Sequence, residues 1–394
     1  MSNLNDTVIV SAKRTPVGSF QGSLSSFSAS DLGSIVIKTL VDETKIDPES
    51  IDEVIMGNVL SAGQGQAPAR QAAIKAGLPD SVECLTINKM CGSGLKAVML
   101  GAQSIQLGDA EIIISGGMES MSQSPYLLPN VREGLRLGHN NVIDSILVDG
   151  LWDVYNDKHM GSCAELCATE KNFSRKDQDL FAKESYNRAQ DAQSKGLFND
   201  EIVPLNVNQR KGDPLYVDQD DEPLRANFKK MDLLKPVFEK NGTITAANAS
   251  KINDGAATLL LMSRDKANEL GLEIHATILG QSSSANDPEW FTTAPIGAID
   301  KVLEKSSLKV DDIDLWEVNE AFAVVPMAVI NNFNLDHGKV NVNGGGIALG
   351  HPIGASGARI LTTLIYAMKK RKAKRGIATL CIGGGEASAV VIER

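Results

Sequence analysis

Cysteine, aromatic residues, excess positive charge and long apolar runs are all scarce in this chain. Five cysteines in 394 residues cannot form a disulfide framework, and an odd number leaves at least one thiol free. They stand at positions 84, 91, 163, 167 and 381. Cys163 and Cys167 have no second Cys or His pair with zinc-like spacing beside them, which argues against a metal site. Aromatics make up only 5%, unlike an aromatic-rich binding sandwich. Asp and Glu outnumber Lys and Arg by 49 to 39, a net charge of −10. That balance argues against nucleic acid or an acidic membrane as the main partner, though it leaves room for a local basic patch that meets a phosphorylated ligand. No apolar run approaches the roughly 18 residues of a membrane span. The opening MSNLNDTVIVSAKRTP has no apolar signal core and the closing VVIER is no peroxisomal address, so the expected compartment is a reducing cytoplasm.

What is present fits a large, soluble, globular protein: 42% hydrophobic, 22% charged, with 35 glycines suited to tight turns and close-packed helices. At about 150 residues per domain the length suggests two or three domains. The most informative feature is an internal repeat. IDEVIMGNV begins at Ile51 and IDLWEVNEA at Ile313, 262 positions later. SGLKAVMLGAQSIQ begins at Ser93 and SGARILTTLIYAMK at Ser356, 263 positions later. Each copy then runs into a β-branched stretch and a glycine cluster, EIIISGGMES (111–120) and GIATLCIGGGEAS (376–388). Val98, Ala102 and Ile105 show helical spacing in one copy and Leu361, Ile365 and Met368 in the other. Ile112–Ile114 and Ile377–Ile382 are continuous apolar runs, as expected of strands buried on both faces. Strands alternating with helices predict an α/β architecture, here duplicated.

Residues 121–250 differ: SPYLLPN, a polar stretch at 129–145, charged Pro-bearing loops and an amphipathic helix at about 174–195 opened by Ser174 with Asp177 three residues on. They read as an inserted, loop-rich ligand cover. The expected organisation is an N-terminal half (1–120 plus 251–270), the insertion (121–250) and a C-terminal half (271–394).

Four positions carry chemistry. Cys91, in NKMCGSG just before a helix, would feel the positive end of the helix dipole, which favours thiolate; a small buried core cysteine is the plainer alternative. His351, in NGGGIALGHPIGASG, stands at the corresponding end of the second copy and can hold a thiol as thiolate and return a proton; a capping histidine would read the same. Cys381 ends the second copy's last strand before Gly383–Gly385, at the carboxyl edge where α/β sheets hold ligands, and the glycines free backbone N–H groups to face an oxyanion. Its alternative is the interior of a buried strand. Asn319, ending WEVNEAF, can fix a water or a carbonyl oxygen or merely close a turn.

NKMCGSG, VNEAF, NGGGIALGHPIGASG and CIGGG together resemble the four signature blocks of the thiolases, and the likeness extends from VIVSAKRTPVG to the last strand. DGLWDVYNDKHMG (149–161) and TAANAS (245–250) resemble the acetyl-CoA acetyltransferase branch of that family. The resemblance implies duplicated α/β domains stacked in layers with an inserted loop domain, assembled as a homotetramer or dimer. It implies Cys91 as the nucleophile that takes the acetyl group, His351 as its activator and a holder of the thioester oxygen, and Cys381 as the base for the α-proton of a second acetyl-CoA. Asn319 would position a water in one oxyanion hole, and the N–H groups of Cys91 and Gly383 would form the other. Leu151, His159, Met160, Ala246, Ser250 and Phe322 would bind substrate, with Arg225 near the phosphates of coenzyme A. No cofactor is implied, since coenzyme A is substrate and product alongside acetyl-CoA and acetoacetyl-CoA. Two substitutions depart from the family pattern: Lys251 and Ala247 stand where relatives commonly carry Gly. A long cation at 251 would contact a phosphate or crowd the pantetheine path. The competing readings are a broader 3-ketoacyl-CoA thiolase of fatty-acid degradation and a catalytically silent acyl-CoA- or lipid-binding relative.

Overall fold

The two apolar runs at 112 and 377 occupy equivalent places in one mixed sheet of the computed structural model, which describes residues 6–394. Nine strands form its path: β1 (Thr7–Arg14), β2 (Glu53–Gly57), β3 (Glu83–Ile87), β4 (Ile112–Ser120), β5 (Asn253–Ser263), β6 (Ala276–Ala285), β7 (Leu315–Val318), β8 (Arg375–Ile382) and β9 (Glu386–Glu393). Their order is β7-β8-β9-β6-β1-β5-β4-β2-β3, with the short strand Gly18–Ser19 pairing off the path against β5.

This order is one half written twice, back to back. From the middle outward, β1-β5-β4-β2 pair antiparallel, antiparallel and parallel, and β6-β9-β8-β7 repeat that pattern. Beyond β2 lies the parallel β3; beyond β7 only a parallel bridge from Trp316 to Val340 remains of its counterpart. The halves join where Val8 and Ile9 pair with Thr277 and Ala276.

The longer helices are α1 (Ala29–Thr44), α2 (Pro68–Lys75), α3 (Ser93–Leu107), α4 (Met160–Glu170), α5 (Arg175–Ser194), α6 (Ala294–Lys305), α7 (Val324–Phe333) and α8 (Ile353–Arg371), and all but α4 and α5 fill three layers around the half-sheets. Leu95, Val98 and Ile105 of α3 and Leu361, Leu364 and Met368 of α8 share one core with Ile113 and Leu261 of one half-sheet and Leu380 and Val390 of the other. Alternate strand residues face outward. Ile112, Ile114 and Leu260 pack on α1 and α2, and Ile377, Ala389 and Val391 on α6 and α7. The period of two, with both faces covered, is why these strands carry apolar residues on both faces.

α3 and α8 meet at matching glycines of the two copies. A Cβ on Gly94 would lie 2.8 Å from the Ala358 nitrogen, and one on Gly357 would strike the Leu95 nitrogen. Between β4 and β5 the chain leaves the sheet, forming α4, α5 and three two-stranded ribbons. α5 starts where its capping residues place it: Ser174 accepts from the Asp177 N–H, and the Asp177 carboxylate accepts from the Ser174 N–H. Its apolar face, Phe181, Ala182, Tyr186 and Ala189, packs on Ile347, Ala348 and Leu349, the turn that leads to His351.

Two details correct the sequence reading. β8 is not the last strand, because Gly383–Gly385 turn the chain back into β9. Gly385 takes φ of +84°, and a Cβ there would lie 2.6 Å from the Asn286 carbonyl oxygen, so this reversal requires glycine. In addition, α8 begins at Ile353, about a turn ahead of its counterpart in the first copy. Residues 1–5, part of the segment read for a targeting signal, lie outside the described residues. Among the described residues no helix is long and apolar enough to cross a membrane.

Candidate active site

A tight turn sets Cys91. Met90 takes φ of +46°, Gly92 N–H donates to the Lys89 carbonyl at 3.0 Å, and Ser93 N–H donates to the Met90 carbonyl at 3.0 Å. Ser93 Oγ locks the turn, accepting from Lys89 N–H at 2.8 Å and donating to the Met90 carbonyl at 2.7 Å. A non-glycine residue held at positive φ costs about 1–3 kcal/mol, a cost that the surrounding structure must offset. Cys91 thus stands two residues ahead of α3, as its motif predicts. The thiolate-favouring environment does not dominate, however: burial pushes Cys91 up to about 11, and the Gly383 N–H bonded to its sulfur offsets only part of that.

His351 is buried and fully partnered. Its backbone N–H donates to Asn253 Oδ1 at 2.8 Å. Nδ1 lies 2.6 Å from Ser356 Oγ, whose own hydroxyl donates to the Pro352 carbonyl at 2.8 Å. With that proton committed, Ser356 accepts from Nδ1–H, which assigns the tautomer and leaves Nε2 unprotonated, an acceptor. Burial brings His351 down to about 3, with the Arg359 charge acting in the same direction. The ring is neutral. Asn319 follows β7 and is fastened by its N–H to the Thr379 carbonyl at 3.0 Å. Arg359 Nη2 donates to Asn319 Oδ1 at 3.5 Å, which turns Nδ2 toward His351 Nε2, also at 3.5 Å. Cys381, on β8, is buried, and that burial holds it well above the usual thiol range, with Cys91 adding to the rise.

One cavity of about 300 Å³ receives Cys91, His351, Cys381 and Gly383 together with Leu151, His159, Met160, Ser250 and Phe322. Arg225 and Ala246 line an adjoining hollow of about 670 Å³ that shares Phe238, Ser250 and Lys251 with the first. Asn319 reaches the site through His351 Nε2 and is not itself among the residues that line this cavity. His159 serves as a helix cap as well as wall: Nδ1 accepts from Gly161 N–H at 2.9 Å, and its ring stacks on Phe238 at 4.6 Å.

Several site residues escaped the sequence reading. Ser356 and Arg359 orient His351 and Asn319, and Phe238 walls the cavity. Glu119 accepts from the N–H groups of Val59, Leu60 and Gly354 at 3.0, 3.1 and 2.9 Å, and from the Asn58 amide at 2.9 Å. It thereby ties the first copy to the start of α8. Burial pushes Glu119 up to about 7. A single carboxylate in the largely uncharged, buried run IIISGGMES was its only signal. Lys251 borders both hollows, yet its ammonium donates to the Ala249 carbonyl at 2.7 Å instead of standing free for a phosphate.

A thiol bonded by a backbone N–H, a neutral imidazole with an unprotonated Nε2 and a second thiol can together form, hold and cleave a thioester. The comparisons agree with that chemistry. Residues 7–265 match the thiolase N-terminal domain and residues 272–394 the thiolase C-terminal domain. An acetyl-CoA acetyltransferase of Cupriavidus necator is 53% identical over 393 residues, covering 99% of this chain and 100% of that protein. The crystal structure of the Bacillus anthracis acetyl-CoA acetyltransferase superposes with a TM-score of 0.97 at 41% identity, covering 100% of both chains. That of Acat5 thiolase from Ascaris suum, in complex with coenzyme A, gives 0.94 at 43% identity over 99% of this chain and 100% of that one. The duplicated fold, the two-thiol cavity and these likenesses have one meaning: the chain belongs to the thiolase family of acyltransferases.

Proposed function

We propose that this site is an acetyl-CoA C-acetyltransferase, joining two molecules of acetyl-CoA reversibly into acetoacetyl-CoA and CoA through an acetyl-Cys91 intermediate. One observation carries the reading: Cys91 and Cys381 open on one cavity with a neutral His351. Cys91 is a thiol at rest, so His351 Nε2 takes its proton as sulfur attacks the thioester carbonyl. The departing CoA sulfur recovers that proton. While protonated, Nε2–H can also donate to a thioester oxygen, a role closed to it in the resting tautomer. Free CoA leaves before the second acetyl-CoA reacts, which gives ping-pong kinetics. Cys381 moves the α-proton. For condensation the Cys381 thiol first gives its proton to the neutral His351; the thiolate, a strong base because burial raises its proton affinity, then takes the α-proton, and the Cys91 sulfur released as the enolate attacks acetyl-Cys91 recovers the proton from His351. In the reverse direction the Cys381 thiol protonates the departing enolate. The N–H groups of Cys91 and Gly383 form one oxyanion hole, and Asn319 places a water in the other. Leu151, His159, Met160, Ser250 and Phe322 wall the acetyl end; Ala246 and Arg225, in the outer hollow, meet the rest of CoA and its phosphates. The reaction requires no metal or further cofactor.

CoA-dependent cleavage of acetoacetyl-CoA and of a long-chain 3-ketoacyl-CoA tests the assignment. Rapid turnover of the short substrate alone is expected. Equal turnover of both would make the chain a broader ketoacyl thiolase, and turnover of neither a silent binder. Cys91→Ala should lose self-acetylation, whereas Cys381→Ser should still acetylate Cys91 and fail in C–C bond formation; equal loss of acetylation in both would overturn this division of labour.

The same reading makes the chain a cytoplasmic homotetramer or dimer, with residues 121–250 as the ligand cover between an N-terminal half (1–120 plus 251–270) and a C-terminal half (271–394). Leu128, Leu135, Leu137 and Val142 are exposed on that cover, which supports a subunit contact there.

A further inference from the structure

Lys251 is the charged residue of the cavity wall that the proposed reaction leaves without a role. Its Nζ donates to the Ala249 carbonyl at 2.7 Å, reaches the Ile347 carbonyl at 3.5 Å and stands 5.7 Å from the centroid of the Tyr186 ring. Glu222 and Glu320 supply the negative field around it, although burial brings it down to about 8. Carbonyl oxygens from two segments, an aromatic face and two carboxylates make a setting for a small cation, and an ammonium with three donors and no acceptor fits it.

The partners belong to different pieces of the site. Ala249 bridges to Phe322, and the next residue, Ser250, donates its N–H to the Ala321 carbonyl at 2.9 Å, so this strip forms the wall beside VNEAF. Ile347 lies in the turn Gly346–Leu349 that leads to His351, and its N–H donates to Glu320 Oε2 at 3.2 Å. Tyr186 belongs to α5, whose apolar face supports that same turn.

We propose that Lys251 is a positioning residue, an internal cation that fastens the wall at Ala249 to the turn at Ile347 and so sets where His351 stands against Cys91, without touching substrate. This rests on the reading of His351 as the base for Cys91. A contact to a CoA phosphate would instead act on binding, which the kinetics separate from positioning.

The test compares the full chain with Lys251→Ala and Lys251→Met in two assays: thiolysis of acetoacetyl-CoA, and labelling of Cys91 by iodoacetamide followed by peptide mass. In both variants kcat should fall by about 10- to 100-fold, the scale of a misplacement of roughly 1 Å. KM should move by less than about threefold. Methylammonium should restore activity to Lys251→Ala, which has room for it, and not to Lys251→Met, whose side chain fills the site, with ionic strength matched by tetramethylammonium. A raised KM at unchanged kcat would overturn the proposal in favour of a ligand contact. Loss of kcat with no rescue in the Ala variant would overturn it in favour of packing. If the native chain fails to cleave acetoacetyl-CoA, the proposed reaction falls, and the labelling decides on Lys251. Slower labelling in the Ala variant that methylammonium reverses supports the positioning role; unchanged labelling overturns it.

Discussion

A thiol ahead of a helix is drawn toward its thiolate by the helix dipole, and Cys91 also receives the Gly383 N–H, yet burial in an apolar cavity raises it to about 11. Two neutral partners follow, Cys91 as thiol and His351 as neutral imidazole, instead of a preformed ion pair. The labelling of Cys91 by iodoacetamide should therefore keep accelerating with pH beyond 9; a plateau reached below pH 7 would establish the ion pair. The same burial sets a stability cost in acid. An unfolded histidine takes up a proton below about pH 6.5, whereas His351 resists it down to about pH 3, so its contribution to stability is lost progressively as pH falls through that window. The residues proposed for this chemistry stood out in the sequence because each sits in a motif of several residues. Their protonation did not, since it depends on neighbours such as Ser356 and Arg359 and on the loss of water around them.

The elements that deliver these residues were the most legible part of the fold. The Ser174/Asp177 pair marks the start of α5, and the 263-residue repeat aligns α3 with α8. The packing of α3 on α8 was not written locally, because glycines in both helices read equally well as turn residues. Their reason is the crossing: a Cβ on Gly94 would sit 2.8 Å from the Ala358 nitrogen. Gly94→Ala should destabilise the protein by about 1–3 kcal/mol, the usual cost of overpacking, measured by urea unfolding. It should also slow acetyl transfer, because α3 begins two residues after Cys91. An unchanged unfolding midpoint would mean that the helices can part without cost.

Across the whole molecule, duplication places unlike residues at like positions. The first copy brings Cys91 to the cavity and the second brings His351 and Cys381, each from the end of a strand or helix, so one site draws on both halves. The segment between β4 and β5 leaves Leu135 and Leu137 exposed, the latter fully. Burying two such leucines in a subunit contact contributes about 1.5–3 kcal/mol each. Leu135→Lys with Leu137→Lys should then reduce the molar mass seen by light scattering; an unchanged mass would remove this surface from the assembly.

The sequence by itself determined the duplicated α/β plan, the four signature blocks and the candidates for the reacting groups. These are carried by periodicity and by short motifs, which the chain expresses over a few residues. Only the tertiary structure decided that Lys251 turns its ammonium to backbone carbonyls, that Glu119 clamps the start of α8, and that Cys91 and His351 rest neutral. The physical reason is that these depend on burial and on partners far away in the chain, such as Ile347 for Lys251 and Gly354 for Glu119, and no local pattern records what folding brings alongside.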